Sequence, residues 1–133
     1  MLFTKASEYA LLALIYIADK KEPQDVETMA EKLDISRSFL AKILQVLARD
    51  GLLISYKGAK GGFLLSKDAK EYTLEEIVNS AERKQVSVFE CSRGVCPSNN
   101  VKCLMLPVLV DLQNKMNEYL SNITLFDVIN KKS

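Results

Sequence analysis

Residues 25–65 read DVETMAEKLDISRSFLAKILQVLARDGLLISYKGAKGGFLL, and the fold is decided there. Val26, Met29, Ala30 and Leu33 recur at the spacing that puts them on one face of a helix, and Asp25 is a good N-cap for it. A short turn follows at Asp34 and Ile35. Ser36 can cap a second helix that runs to Asp50 and Gly51. Its inward face holds Leu40, Ile43, Leu44 and Leu47; its outward face holds Arg37, Ser38, Ala41, Lys42, Gln45 and Arg49. Two short helices on a tight turn make a helix-turn-helix pattern, but ordinary helical hairpins share it. The next segment discriminates. Leu52–Tyr56 and Phe63–Leu65 read as strands around Lys57-Gly58-Ala59-Lys60-Gly61-Gly62. Glycines allow the positive φ of a tight hairpin, and two lysines charge its tip. A basic hairpin directly after a helix-turn-helix is a wing.

Charge distribution supports the same reading. The 133-residue chain has a formal net charge of only +1, so bulk charge announces no polyanionic partner. Between residues 35 and 62, however, there are five basic residues (Arg37, Lys42, Arg49, Lys57, Lys60) and one acid, Asp50. That window carries +4 and the rest of the chain −3. Positive charge collects where a groove-reading helix and wing would meet phosphates. The pattern assigns Ser36, Arg37, Ser38, Lys42 and Gln45 to the major groove of double-stranded DNA. It assigns Lys57, Gly58 and Lys60 to the neighbouring backbone or minor groove.

On the N-terminal side, Thr4–Ala18 reads as a helix apolar on nearly every side, suited to a core. Its longest apolar run, Tyr9–Ala18, is shorter than the roughly 20 residues a bilayer span takes. Asp19, Lys20, Lys21 and Glu22 follow it with no cleavage-site pattern. The reading is a cytoplasmic protein without a membrane partner. On the C-terminal side, Thr73-x-x-Glu76 is a capping-box sequence opening a helix to Glu82. A polar loop spans residues 85–102, then a long helix runs from Leu104 to Ser121, with Pro107 tolerated in its first turn. Val108, Leu109, Leu112, Met116, Tyr119, Leu120 and Ile123 form a broad apolar stripe. It can pack on its own domain or pair with the same helix of a second chain. Pairing is preferred, because helix-turn-helix proteins commonly dimerise over half-sites about 34 Å apart. A short helix over 124–130 completes the chain. The expected fold is mainly α with a small β-hairpin wing. Residues 1–66 form the DNA-binding domain; residues 67–133 hold the cysteine loop and dimerisation helix, packed with the first as one unit.

The chain has three cysteines and no histidine. Ser–His and Cys–His catalytic pairs are therefore excluded, as are Cys₂His₂ zinc sites. No other substrate-site constellation stands out, so the chain is not read as an enzyme. An odd cysteine count cannot pair fully within one chain. Cys91-x₄-Cys96-x₆-Cys103 lies in a loop of Gly, Ser, Asn and Pro, which suits a wrapped metal or cluster better than a buried core. Thiolates serve zinc and iron–sulfur clusters alike, and the spacing favours neither. A fourth ligand must be a carboxylate, water or small thiol; Glu90 and Glu8 are the carboxylate candidates.

With these elements in order, the chain resembles the IscR–NsrR–RirA family of bacterial winged-helix regulators along essentially its whole length. The resemblance rests on Thr4 with Tyr9-Ala10, on residues 35–40 (ISRSFL), on Gly51-Leu52, on Gly58-x-x-Gly61-Gly62-Phe63, on the cysteine loop and on residues 121–125 (SNITL). It implies a homodimer on a pseudo-palindromic operator, and DNA binding controlled by an iron–sulfur cluster on Cys91, Cys96 and Cys103. Some family members place a histidine ligand three residues after the last cysteine; Leu106 stands there in this chain. In nitric-oxide-sensing members, an acid near the start of the first helix, donated by the other subunit, completes a [4Fe–4S] cluster. Glu8 stands at that place, which ranks [4Fe–4S] ahead of [2Fe–2S]. The family's cytosine-reading glutamate position is Ala41, and its wing arginine is Lys57, a point charge without the planar fork. The signal implied is nitric oxide, redox stress or iron–sulfur status. The rival regulator keeps the DNA reading and replaces the cluster by a thiol switch, zinc or a small-molecule effector. An electron carrier would have no use for the basic helix and wing.

Overall fold

The computed structural model describes residues 4–83 and 106–130. Six helices and one hairpin follow in order among them: α1 (Lys5–Ala18), α2 (Val26–Leu33), α3 (Arg37–Arg49), β1 (Leu53–Tyr56), β2 (Gly62–Leu65), α4 (Leu74–Glu82), α5 (Leu106–Asn122) and α6 (Leu125–Asn130). A 3₁₀ turn, Ala69–Glu71, precedes α4. This is the mainly helical, winged architecture expected. None of these helices is long and apolar enough to cross a membrane.

Local signals set the boundaries of the helix-turn-helix. The Asp25 carboxylate accepts from the Thr28 amide at 2.9 Å and opens α2. Asp34 turns left-handed at φ 56° and closes it. The Ser36 hydroxyl opens α3, and Gly51 at φ 84° ends it, with Leu52 N–H bonded to Leu47 O at 2.8 Å. That bond and the Gly51 N–H to Ala48 O bond make a Schellman closure. Leu40, Ile43, Leu44 and Leu47 are buried, as the period demanded. The pull of Thr28 amide and hydroxyl on Asp25 holds its carboxyl below the usual carboxylate range. Asp25→Ala should therefore cost about 1 kcal/mol at neutral pH. Because the folded pKa is the depressed one, this contribution is present above the unfolded value and fades as pH falls through the folded value. Thermal unfolding of both proteins across pH 7 to 2 should show the Tm gap closing in acid; a constant gap would remove the capping account.

α1 is the element the others share. Ser7, Ala10, Ala13, Leu14 and Ile17 are buried, and α2, α3, α4, α6 and β2 all pack against it. Thr4 is its N-cap rather than its first residue, accepting from Ala6 N–H at 3.2 Å.

The hairpin pairs Leu53 with Leu65 and Tyr56 with Gly62 in antiparallel register. Its base is fixed to the α1–α2 connector. Gln24 N–H donates to Phe63 O at 3.0 Å, and Phe63 N–H returns to Gln24 O at 2.9 Å. A second anchor is Tyr72, which has no exposed surface. Its hydroxyl donates to Leu52 O at 2.6 Å and accepts from Ser66 N–H at 2.9 Å. Tyr72 O in turn accepts from Leu125 N–H at 2.9 Å, and Thr73 bridges Thr124. Leu125 is fully buried beside the N-terminal core. One core thus runs from α1 to α6.

α5 packs on α4, yet only Leu120 of its residues is buried. Val108 is 57% exposed and Tyr119 56%, with Val110 and Leu112 also exposed. Of the apolar stripe read from the sequence, Val108, Leu112 and Tyr119 are exposed, Leu109, Met116 and Ile123 are half-buried and Leu120 is buried.

Candidate nucleic-acid interface

α3 turns its polar side outward because its four buried leucine and isoleucine positions fix the rotation. Ser36, Arg37, Ser38, Lys42, Gln45 and Arg49 are all exposed. The Ser36 hydroxyl faces Phe39 N–H at 3.5 Å and lies 3.2 Å from the Ser38 hydroxyl, so two short polar groups sit together at the start of the helix. The Arg37 guanidinium meets Glu27 of α2 at 3.3 Å, with both side chains more than two-thirds exposed. Such a pair is weak in water and available for exchange with a phosphate or base.

The wing projects beside this face. A crevice of about 360 Å³ separates them, lined by Asp25, Glu27 and Arg37 on one side and by Ser55, Tyr56 and Gly58 on the other. Lys57, Gly58 and Lys60 are exposed at the tip, with Gly58 at φ 101° and nothing within 4 Å of where a Cβ would stand. Every nucleic-acid residue read from the sequence is therefore exposed, five on α3 and its cap, three on the hairpin tip.

Glu8 is exposed in the first turn of α1. Cys91, Cys96 and Cys103 lie outside the described residues. Among the described residues, no cluster of three or more His, Cys, Asp or Glu is placed to hold a metal.

Two site features had no sequence signal. Glu82, at the end of α4, takes three donors on one carboxylate oxygen: Thr4 N–H at 2.9 Å, the Thr4 hydroxyl at 2.7 Å and the buried Ser7 hydroxyl. It ties the end of α4 to the turn of α1 that bears Glu8. The other feature is Phe39, 39% exposed on α3 and edge-on to Tyr9 at 5.3 Å. Both contacts join residues far apart in the chain, which no local pattern reveals.

An exposed polar recognition helix flanked by a basic wing defines the winged helix-turn-helix class. Within that class, the chain matches the family model described as "Rrf2: Iron-dependent Transcriptional regulator" over residues 3–131. The protein belongs to the Rrf2 family of transcriptional regulators. It is 30% identical to the HTH-type transcriptional regulator IscR of Cronobacter sakazakii over 99% of this chain and 82% of that one. Its fold is similar to that of CymR, the global cysteine regulator of B. subtilis, with a TM-score of 0.80 at 20% identity over 100% and 99% of the two chains. T. potens IscR superposes with a TM-score of 0.74 at 20% identity over 97% and 86%. The relatives are transcriptional regulators, and this chain is a DNA-binding regulator rather than an enzyme.

Proposed function

We propose that this regulator is a homodimeric, cytoplasmic repressor-type switch whose grip on a pseudo-palindromic operator is set by an iron–sulfur cluster. The observation that carries the DNA half is the exposure of Ser36, Arg37, Ser38, Lys42 and Gln45 on α3 and its cap, with Lys57, Gly58 and Lys60 exposed on the wing across the crevice. The α3 residues contact base edges and phosphates in the major groove, and the wing lysines hold the adjacent backbone. The exposed positions on α5 support dimerisation, because Val108, Leu112 and Tyr119 are left exposed among the described residues and a second copy would bury them. Residues 1–66 read DNA, and residues 67–133 supply the sensor and the dimer contact.

The donor set of Cys91, Cys96 and Cys103 suits iron, and the family's iron dependence agrees with that chemistry. Glu8 fits as the fourth ligand: it is exposed, and the Glu82 contacts with Thr4 and Ser7 set its turn beside the end of α4. The bound group supplies reactivity toward nitric oxide and oxidants, [4Fe–4S] being favoured over [2Fe–2S]. The protein's part is to couple ligation to helix placement. Ligation by Glu8 of one subunit and the three cysteines of the other would restrain α1, and α1 packs directly on α3. Releasing that restraint would alter the spacing of the two recognition helices, and a shift of a few ångströms is large against a half-site repeat of about 34 Å.

Native mass of protein purified without oxygen, paired with DNA-binding anisotropy before and after cluster removal, tests the proposal. The expected result is one [4Fe–4S] increment per subunit and a change in operator affinity of about tenfold or more on its loss, about 1.4 kcal/mol of coupling. Cys96→Ala should lack both the increment and the response. An increment of [2Fe–2S] would change the ligation scheme and displace Glu8. A dimer with no added mass after anaerobic reconstitution would leave a thiol-, zinc- or small-molecule-controlled regulator.

A further inference from the structure

The start of α1, the outer side of α3 and the end of α4 enclose a cleft of about 410 Å³. Its walls are apolar, made by Ala6, Phe39, Ile43, Val46 and Ala81. Lys42 and Arg83 line the same cleft and are both exposed. Neither has an ion-pair partner among the described residues. Arg83 sits at the left-handed cap of α4, φ 60°, where its N–H closes onto Ser80 O.

DNA reading does not account for this arrangement. A duplex offers Phe39 and Val46 little apolar surface to match. Ligand sites instead combine mostly apolar walls with a few convergent polar groups, in volumes of about 300–1,000 Å³. Two unpaired cations over such walls complement one carboxylate on an apolar body. A nucleotide or other polyanion would bring more negative charge than Lys42 and Arg83 balance and little apolar surface for the walls, and an uncharged hydrocarbon would leave both cations unused. We propose that the cleft binds a small aromatic or similarly apolar carboxylate, and that its occupant competes with DNA. Competition follows because Ser36, Ser38 and Lys42 line the cleft and also belong to the DNA-reading set. This second half rests on the DNA reading proposed above.

The probe is 2-naphthoate, titrated calorimetrically into the full-length protein, with 2-naphthylmethanol as the uncharged control. The expected result is one site per chain with a Kd of about 1 mM or tighter. Arg83→Gln should weaken naphthoate about fivefold or more and leave naphthylmethanol unchanged. Val46→Trp should fill the cleft and remove both, with Ala81→Leu as a second filling variant in case the first misfolds. Naphthoate should weaken operator binding by the wild type but not by a filled variant. Absence of saturable binding would overturn the proposal, as would naphthoate binding indifferent to both Arg83→Gln and cleft filling. Binding that leaves DNA affinity unchanged would overturn the competition. A failure of the DNA reading itself shows separately, as ligand-free protein that does not bind an operator.

Discussion

Alanine at Gly62 will unseat the wing and weaken DNA binding by about tenfold or more, alongside a stability loss of about 2–4 kcal/mol. Gly62 sits at φ 149°, which side-chain-bearing residues rarely adopt. A Cβ there would stand 2.4 Å from Gln24 O and 2.5 Å from Gln24 C. Both are backbone atoms of the connector that bonds Phe63 in both directions, so no flexible side chain can swing aside. Either the hairpin tilts or the connector moves, and the Asp25 cap of α2 moves with it. The wing lysines then leave their register with α3. Gly58→Ala is the control: φ is also positive, but its surroundings are open, so it should cost about 1–2 kcal/mol from backbone strain alone and leave the wing base in place. Thermal unfolding and anisotropy at fixed salt measure both effects. If Gly62→Ala behaves no worse than Gly58→Ala, the Gln24 contact does not position the wing.

Tyr72→Phe will lower Tm by roughly 10 °C. The change removes one oxygen from a site with no exposed surface. That oxygen gives the hydrogen bond to Leu52 O and receives the one from Ser66 N–H. Phenylalanine fills the same space but leaves a carbonyl and an amide without these partners. Each orphaned group, the buried Leu52 carbonyl and the half-buried Ser66 amide, costs up to about 1–3 kcal/mol. Two of them, at a few degrees per kcal/mol for a domain of this size, give the stated shift. Tyr56→Phe, on the exposed face of β1, should move Tm by less than about 2 °C. Equal Tm values for Tyr72→Phe and Tyr56→Phe would show that the Tyr72 hydroxyl bonds do not hold the wing base to the core.

The sequence was most legible where interactions are local. Val26 to Arg49 shows its caps, period and turn within a dozen residues at a time, and α2 and α3 fall where those signals put them. The wing was legible from its glycines and lysines, but not the reason Gly62 must be glycine, because Gln24 lies far back in the chain. Tyr72 carried no signal at all: an isolated aromatic before a capping box reads as ordinary. The 3₁₀ turn with its Asp68–Glu71 capping box was likewise unread. The α5 stripe was visible as a pattern, yet a pattern cannot say which surface covers it. In the structure Leu120 turns inward while Val108 and Tyr119 do not. On α3 the polar members of the outward face (Arg37, Ser38, Lys42, Gln45 and Arg49) are exposed as read, because burying four positions fixes the rotation, while Ala41 is half-buried and Phe39 is exposed.

The closing bond from Leu125 N–H to Tyr72 O has a consequence for how the protein is made. The DNA-reading half is synthesised first and carries its own caps and turns. Its core nevertheless lacks a fully buried leucine, and Tyr72 a backbone partner, until residue 125 has left the ribosome. A nascent chain stalled earlier presents a recognition helix on an unfinished scaffold, with the pocket for Leu125 still open. The core beneath the recognition helix is thus completed only once residue 125 is in place, well after the residues that read DNA have been made.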